Sequence, residues 1–440
     1  MEERKKRILH RAFAIGGGIL FGVSCFFGGY FTYAGKVDDE IKTLIWAKEV
    51  IQEEYNYKIT DEEFYEAVFS GVNSLLDPYS AYLSKDEYKK TLEDSTGRFA
   101  GIGVQFSTVD TAGNPQIMVS KVLGNSPAER EGLKVGSSLL EYGNSQAEMV
   151  GATNYEAFSA FLKEKEEGEA FYTTWKEEQK TEPYTIVLCK EAFIQSYVSY
   201  RSNDSAYQFL GAQERGFGEA LTSLPEDTAY IRLTEFNGGA GEEFDGAMSV
   251  FKRENKKNLI LDLRANGGGY LSILSQICKY FCKSAKGANP IIATANYRNG
   301  RVISYRATAN VYDEYFDEDS EITVLADSGT ASASECLIGC MVDYGAVDFE
   351  DIYLFERVAK IGEEFTLVAR TYGKGIMQEY FSKNPFKVSP TMKLTTAYIT
   401  WPLSGRCIHG IGVIPENGAK KMPYAYFGDG EIESVLQSKR

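Results

Sequence analysis

The feature that most constrains the fold is a short apolar run followed by small residues and then a helical pattern. It occurs twice in the second half of the chain, first from Leu259 through Gly269 and again from Ile322 through Ser334. Compact apolar runs of this kind suit strands that are covered on both faces. Repeated strand–turn–helix units predict an α/β core, with functional groups where strand ends meet helix N-termini.

Composition excludes several classes of function. A chain of 440 residues is long enough for two or three folded units. Its 62 acidic against 47 basic residues give a net charge of -15, which argues against a nucleic-acid partner. Only His10 and His409 are histidines, so zinc sites with several histidines are excluded and His409 is the only plausible histidine base. No P-loop motif occurs, and neither a metal nor an organic cofactor is implied.

The cysteines leave two interpretations open. Cys278 and Cys282, like Cys336 and Cys340, are four residues apart, so each pair lies on one helical face. The four could bind a metal, or they could be small apolar side chains on buried helix faces. The second interpretation is favoured because free cysteines are usually buried.

The N-terminus predicts a membrane anchor. Residues 12–35 carry no charge over 24 positions, which is enough to cross a bilayer as a helix. Basic residues precede this stretch and Asp38, Asp39 and Glu40 follow it, so the N-terminus is expected in the cytoplasm and the rest outside it. The alternative is a signal peptide cleaved near Ala34. The favoured prediction is a single-pass protein of the cell membrane that contacts lipid through residues 12–35.

Five segments are expected along the chain. Residues 1–36 form the basic tail and anchor, and 37–98 a helical region in which Thr60 and Glu63 are spaced as a capping box. Short strands and turns are expected in 99–191, the α/β core in 192–420, and a C-terminal tail in 421–440.

Three turns or loops carry candidate chemistry. Arg264 to Gly269 ends in three glycines, which allow backbone N–H groups to approach a ligand or form a plain tight turn. Thr330 to Glu335 offers an accessible hydroxyl or an ordinary N-capping serine. Tyr372 to Gln378 places Lys374 between glycines. A base there needs its pKa lowered from ~10.4 toward ~7–8, about 4 kcal/mol, and spacing alone favours a surface lysine.

These turns belong to an ordered set of motifs: Leu76-Asp77-Pro78-Tyr79-Ser80-Ala81-Tyr82-Leu83, Phe99 to Val104, Ser126-Pro127-Ala128-Glu129 with Gly132-Leu133-Lys134, Leu261-Asp262-Leu263-Arg264 with Gly268-Gly269, Gly329 to Glu335, Tyr372 to Gln378, and Gly410-Ile411-Gly412-Val413-Ile414-Pro415. The set spans about residues 40 to 418 and resembles the carboxyl-terminal processing peptidases, or tail-specific proteases. That family consists of Ser–Lys endopeptidases with an inserted PDZ domain.

The resemblance implies a crotonase/ClpP-like α/β catalytic core, a small β-rich PDZ domain in 99–191, and an N-terminal helical segment after one transmembrane helix. It makes Ser332 the nucleophile, Lys374 its base and Gln378 the residue that orients the lysine. The implied oxyanion hole consists of the backbone N–H groups of Gly269 and Ala333. The implied partner is a protein or peptide with a free C-terminal tail, held at the residues Gly101, Ile102, Gly103 and Val104.

The sequence departs from the family pattern at three places. Ser332 and Lys374 are 42 residues apart, and the additional chain within about 346–369 is expected to be a surface insertion. Gly267 stands where the family often has proline, and Ser137 where its PDZ motif usually has aspartate. Ser328 and Ser334 are rival nucleophiles. The alternative function is a non-catalytic PDZ peptide-binding scaffold or pseudoprotease. The sequence leaves the oligomeric state open, and relatives with long N-terminal helices make a homodimer one of the options.

Overall fold

The structure, a computed structural model, describes residues 38–111, 114–177, 180, 182–361, 364–423 and 429–439. The chain divides into two units, Met1–Tyr82 and Leu83–Arg440. The anchor expected at residues 12–35 lies outside the described residues. Within the described ranges, every helix is too short or too polar to cross a membrane.

The first unit contains helices α1 (Asp39–Glu54) and α2 (Asp61–Gly71), then a 3₁₀ turn, Val72–Leu75. The predicted capping box begins α2. The Thr60 hydroxyl accepts from Glu63 N at 3.2 Å, and the Glu63 carboxylate accepts from Thr60 N at 2.8 Å. Strand β1 (Ala81–Leu83) ends this part of the chain.

The second unit begins with α3 (Lys85–Ser95) and a β-rich domain. Its elements are β2 (Arg98–Gly101), β3 (Val104–Thr111), β4 (Asn114–Val122), α4 (Pro127–Arg130), β5 (Ser138–Gly143), β6 (Val150–Gly151), α5 (Tyr155–Glu164), β7 (Ala170–Lys176), β8 (Tyr184–Cys189) and β9 (Glu191–Ile194). The sheet order is β3-β4-β5-β7-β8, and β2 pairs with β9 where the domain begins and ends. Phe158, Phe171 and Trp175 fill its core.

An α/β core follows, as predicted. Its strands and helices are β10 (Val198–Arg201), β11 (Ala206–Leu210), β12 (Gln213–Gly216), β13 (Thr228–Leu233), α6 (Ala240–Arg253), β14 (Asn258–Asp262), α7 (Leu271–Ile277), β15 (Ile291–Tyr297), β16 (Val302–Arg306), β17 (Ile322–Ala326), α8 (Ala333–Asp343), β18 (Ile352–Phe355), β19 (Arg357–Ile361), β20 (Glu364–Val368), β21 (Ile376–Ser382), β22 (Thr391–Thr400), β23 (Lys420–Met422) and α9 (Asp429–Ser438). The main sheet has the order β12-β11-β10-β13-β14-β17-β18-β23 and is parallel from β13 to β23.

Part of the expected surface insertion lies inside the core. Strand β18 is buried at all four positions and pairs in parallel with β17 and β23, so this part of the surface-insertion prediction is wrong. The apolar run Ile352–Phe355 is covered on both faces, which explains its composition. The protruding part is the antiparallel ribbon β19–β20, where Val358 and Leu367 are exposed opposite each other.

The segment expected to be a C-terminal tail is folded. Strand β23 adds to the main sheet beside β18, and α9 buries Ile432 and Val435 against Leu221 and Tyr353. Because the strands from β13 to β23 are parallel, their carboxyl ends lie at the same edge of the sheet. The turns after β14 and β17 lie at this edge.

Candidate active site

The turns after β14 and β17 touch each other. The Ala331 N–H donates to the Asn266 carbonyl at 2.9 Å, and the buried Ser334 hydroxyl donates to the same oxygen at 3.0 Å. A Cβ on Gly268, which has φ +95°, would lie 2.7 Å from Ala333 N and 2.8 Å from Ser332 Cβ. Only glycine permits this approach, so the glycine turn and the serine turn form one structure.

Ser332 has a strained backbone at the N-terminus of α8. Its φ of 57° and ψ of -115° lie outside the ordinary regions for a residue with a Cβ, a conformation that costs about 1–3 kcal/mol. Such strain persists only where surrounding contacts enforce it. The Ser332 N–H donates to the Glu335 carboxylate at 2.9 Å, and the Ser332 carbonyl accepts from Cys336 N at 2.9 Å.

The Glu335 carboxylate joins the serine turn to the lysine loop. It is fully buried, and one oxygen accepts the N–H groups of Ser332 and Lys374, each at 2.9 Å. The other accepts Gly373 N at 2.8 Å and the Thr371 hydroxyl at 2.5 Å. Burial raises the pKa of Glu335 above its ordinary value, and these four hydrogen bonds oppose the shift. The segments that contain Ser332 and Lys374, 42 residues apart in sequence, are thus fixed to one side chain.

Sequence reasoning included Glu335 in a motif but assigned it no role. The signal available was its position three residues after Ser332, because a glutamate at that position of a helix accepts the N-cap N–H. Its contacts with Thr371 and Gly373 could not be read from spacing.

A second buried carboxylate supports the glycine turn. Asp262 is fully buried at the end of β14 and accepts from the Tyr230 hydroxyl at 2.6 Å and from Arg264 Nε at 2.9 Å. Burial alone would raise the pKa of Asp262, but the Arg264 and Arg232 charges and these hydrogen bonds lower it to about 2. Asp262 is therefore ionised at neutral pH. Arg264 also pairs with Glu431, which connects α9 to the first residue of the turn.

The turn itself is shaped by Asn266 and Ala265. The buried Asn266 amide donates to the Leu233 carbonyl and accepts from Gly268 N, at 2.8 and 2.9 Å. Ala265 has φ 57°, a left-handed value uncommon for alanine. A Cβ on Gly269 would lie 2.2 Å from the Phe236 carbonyl oxygen, so this position also requires glycine.

A cavity of about 560 Å³ opens over these turns. Ser332, Ala333, Gly269, Lys374 and Gln378 all line it, so the structure brings the predicted catalytic and oxyanion residues together. Its apolar wall consists of Leu271, Tyr305, Cys336, Ile376, Met377 and Ile399, and its charged rim includes Glu235, Glu379 and Lys393. The Gln378 amide donates to the Thr395 hydroxyl at 3.1 Å, which fixes this side chain on the cavity wall.

The rival candidates have other positions. Ser334 is fully buried with its hydroxyl bonded to Asn266, and His409 does not line the cavity but packs its ring against Tyr398. Cys278, Cys282 and Cys340 are buried in the core, with 3.5 Å between the sulfurs of Cys282 and Cys340. Among the residues that the structure describes, no cluster of histidine, cysteine or acidic side chains could hold a metal.

The predicted peptide-binding residues lie in the β-rich domain, between the end of β2 and the start of β3. The carbonyls of Ile102 and Gly103 accept from Ala128 N at 3.1 Å and Leu123 N at 2.9 Å. Gly103 has φ +74°, and a Cβ there would lie 2.1 Å from Ser126 Cβ. The strand that follows, β3, is at the edge of its sheet.

Comparison with known proteins finds similar peptidases. Residues 227–349 match the family model for Peptidase family S41. The chain is 25% identical over 399 residues to the carboxy-terminal processing protease CtpB of Bacillus subtilis (strain 168), covering 89% of this chain and 70% of that protein. It is also 25% identical over 370 residues to the carboxyl-terminal-processing protease of Picosynechococcus sp. (strain ATCC 27264 / PCC 7002 / PR-6), covering 83% and 75%.

The chain is similar to the carboxyl-terminal processing peptidases over most of its length. It is a serine-type peptidase, and the S41 match includes both the glycine turn and Ser332, while Lys374 lies beyond it. A solved structure assigned to the S41 proteases, from Bacteroides fragilis NCTC 9343, has the same fold. The TM-score is 0.53 at 15% identity, over 90% of this chain and 96% of that one.

We expect Glu335→Gln to impair both folding and activity of this peptidase. In either orientation of the amide, its NH₂ group faces two of the four donors, either Ser332 N and Lys374 N or Gly373 N and the Thr371 hydroxyl, and these lose their acceptor. The free energy of unfolding should fall by about 3–5 kcal/mol. Urea unfolding and peptide hydrolysis measure the two effects. The exposed Glu350→Gln is the control, and equal stability of both variants would contradict the role of Glu335.

Proposed function

We propose that the protein is a membrane-anchored serine endopeptidase that cleaves extracytoplasmic proteins by Ser–Lys catalysis. The observation that carries the proposal is one cavity lined by Ser332, Lys374 and the glycine turn, with the serine and lysine segments fixed by Glu335. The hydroxyl group of Ser332 and the amine of Lys374, which acyl transfer needs, therefore lie together near the N-terminus of α8.

In the proposed reaction, the neutral Lys374 amine accepts the Ser332 hydroxyl proton as the oxygen attacks the scissile carbonyl carbon. The N–H groups of Gly269 and Ala333 stabilise the oxyanion, and one such donor is typically worth about 2.7–4 kcal/mol. The protonated lysine then gives its proton to the leaving amine, and water hydrolyses the acyl-enzyme by the same route. The Gln378 amide donates to Thr395, and we propose that its amide oxygen orients the lysine.

Lysine is preferred to histidine as the base because of where His409 lies. The His409 ring packs against the Tyr398 ring with 5.6 Å between their centroids, and the His409 backbone N is a close neighbour of Gly375 in the lysine loop. A Ser-His-Asp triad would require this ring to reach the cavity that holds Ser332.

We expect Ser332→Ala and Lys374→Ala each to reduce peptide hydrolysis by at least about 1,000-fold, because nucleophile and base act as one unit. The measurement uses detergent-purified full-length protein and an unstructured protein substrate. A serine-reactive phosphonate should label the wild type and neither variant. Ser328→Ala, a change in the same turn, is the control. An unlabelled wild type would favour the non-catalytic PDZ scaffold.

The β-rich domain is proposed to bind the C-terminal tail of a substrate as an added strand on β3. Strand β3 is at the edge of its sheet, so a further strand can pair with it. The ring centroids of Phe106 on β3 and Phe158 on α5 are 5.5 Å apart, so α5 packs next to this edge strand. The loop Gly101 to Val104 would hold the terminal carboxylate.

Substrates with a free C-terminal carboxylate should therefore show a lower KM than the same substrates amidated at the C-terminus. The loss on amidation should be about tenfold or more, since a charge-assisted hydrogen bond is removed. Steady-state kinetics on the paired peptides test this, and an N-terminally acetylated pair is the control. Equal KM values for amidated and free peptides would refute carboxylate recognition.

The anchor is proposed from residues 12–35 and their flanking charges. The full-length chain should remain in the membrane pellet after alkaline carbonate extraction, and a chain beginning at Asp38 should not. Protease should digest the catalytic region when it is added to cells whose cell membrane is intact and whose outer layers are permeable to it. Recovery of the full-length chain in the carbonate supernatant, or a region protected from the protease, would contradict this arrangement.

A further inference from the structure

The carboxylate of Asp327, which does not line the cavity, joins the two turns of the active site. It follows β17 and is 2% exposed. Its Oδ1 atom accepts the Ala265 N–H at 2.9 Å and the Gly329 N–H at 2.8 Å. Ala265 is the second residue of the glycine turn and Gly329 immediately precedes the serine turn, so one oxygen holds the two turns together.

The charge that balances this carboxylate comes from the β19–β20 ribbon. Arg357 is the first residue of β19, and its guanidinium donates to Asp327 Oδ2 at 2.9 Å. A Cβ on Gly329 would lie 3.2 Å from this guanidinium and 2.9 Å from Ala265 Cα. The arginine therefore packs directly against Gly329, and the close approach of Ala265 Cα is what excludes a larger residue there.

Both turns need such restraint because each contains a strained residue. Ala265 and Ser332 have φ of 57°, a left-handed value that relaxes unless contacts enforce it. A buried carboxylate is well placed to enforce it only while an opposite charge compensates its burial. Arg357 supplies this charge from a segment that protrudes from the core.

We propose that Arg357 is a positioning residue that sets the oxyanion geometry through Asp327, which makes the β19–β20 ribbon a structural part of the active site. The inference rests on the proposed Ser–Lys function and adds to it a residue outside the cavity. Because oxyanion contacts are made mainly in the transition state, the arginine should affect kcat and leave KM nearly unchanged.

Arg357→Gln in the full-length protein should lower kcat about 10- to 100-fold, as expected for a small displacement of the oxyanion donors, with KM within about twofold. Arg357→Lys should restore part of the loss. Arg215→Gln, an exposed strand arginine in β12, is the matched control and should leave both constants unchanged.

A double-mutant cycle identifies the route of the effect. Asp327→Asn keeps the Oδ1 acceptor but turns an NH₂ toward the guanidinium, whereas Arg357→Gln combined with Asp327→Asn allows an amide pair. The double variant should therefore lose less activity than the product of the single losses. Additive losses, or a wild-type kcat in Arg357→Gln, would overturn the proposal.

Hydrogen exchange gives a readout that does not depend on catalysis. Amide exchange in residues 264–270 and 326–332 should be faster in Arg357→Gln than in the wild type and Arg215→Gln, at equal melting temperature. Unchanged exchange would also overturn the proposal. If Ser332→Ala hydrolyses peptides as well as the wild type, the proposed function fails instead, and the exchange result still decides the role of Arg357.

Discussion

The active site depends on the buried carboxylate of Glu335. Four donors from the serine turn and the lysine loop converge on its two oxygens, at 2.5 to 2.9 Å. Burial makes ionisation of such a group costly, and the four hydrogen bonds are what compensate it. The same contacts bring Lys374 to the cavity that contains Ser332. The hydrogen bonds that stabilise the buried Glu335 carboxylate therefore also assemble the site.

Carboxylates recur at the carboxyl ends of the central strands for the same physical reason. Asp262 at the end of β14 and Asp327 after β17 accept backbone N–H groups where parallel strands stop and their hydrogen-bond ladder ends. Each is paired with an arginine, Arg264 or Arg357. The turns can therefore hold left-handed residues and closely approaching glycines beside the cavity.

Much of this could be predicted from the sequence because it is local. The apolar runs identified β14 and β17, Thr60 and Glu63 identified the start of α2, and the glycine and serine turns had motifs of their own. Strand β18 and helix α9 were missed. The run Ile352–Phe355 is too short to show a period, and α9 is stabilised by packing on distant residues such as Tyr353.

The sequence by itself determined which residues could do the chemistry and the order of their motifs, since hydroxyl, amine and glycine are properties of single positions. Only the tertiary structure decided that Ser332, Lys374, Gly269, Ala333 and Gln378 share one cavity, and that β18 is a core strand while β19–β20 protrudes. The reason is that the hydrogen-bond partners of a buried carboxylate are the groups that folding places next to it. Donors from residues 332, 371, 373 and 374 meet on Glu335 through folding, and no spacing along the chain specifies that meeting.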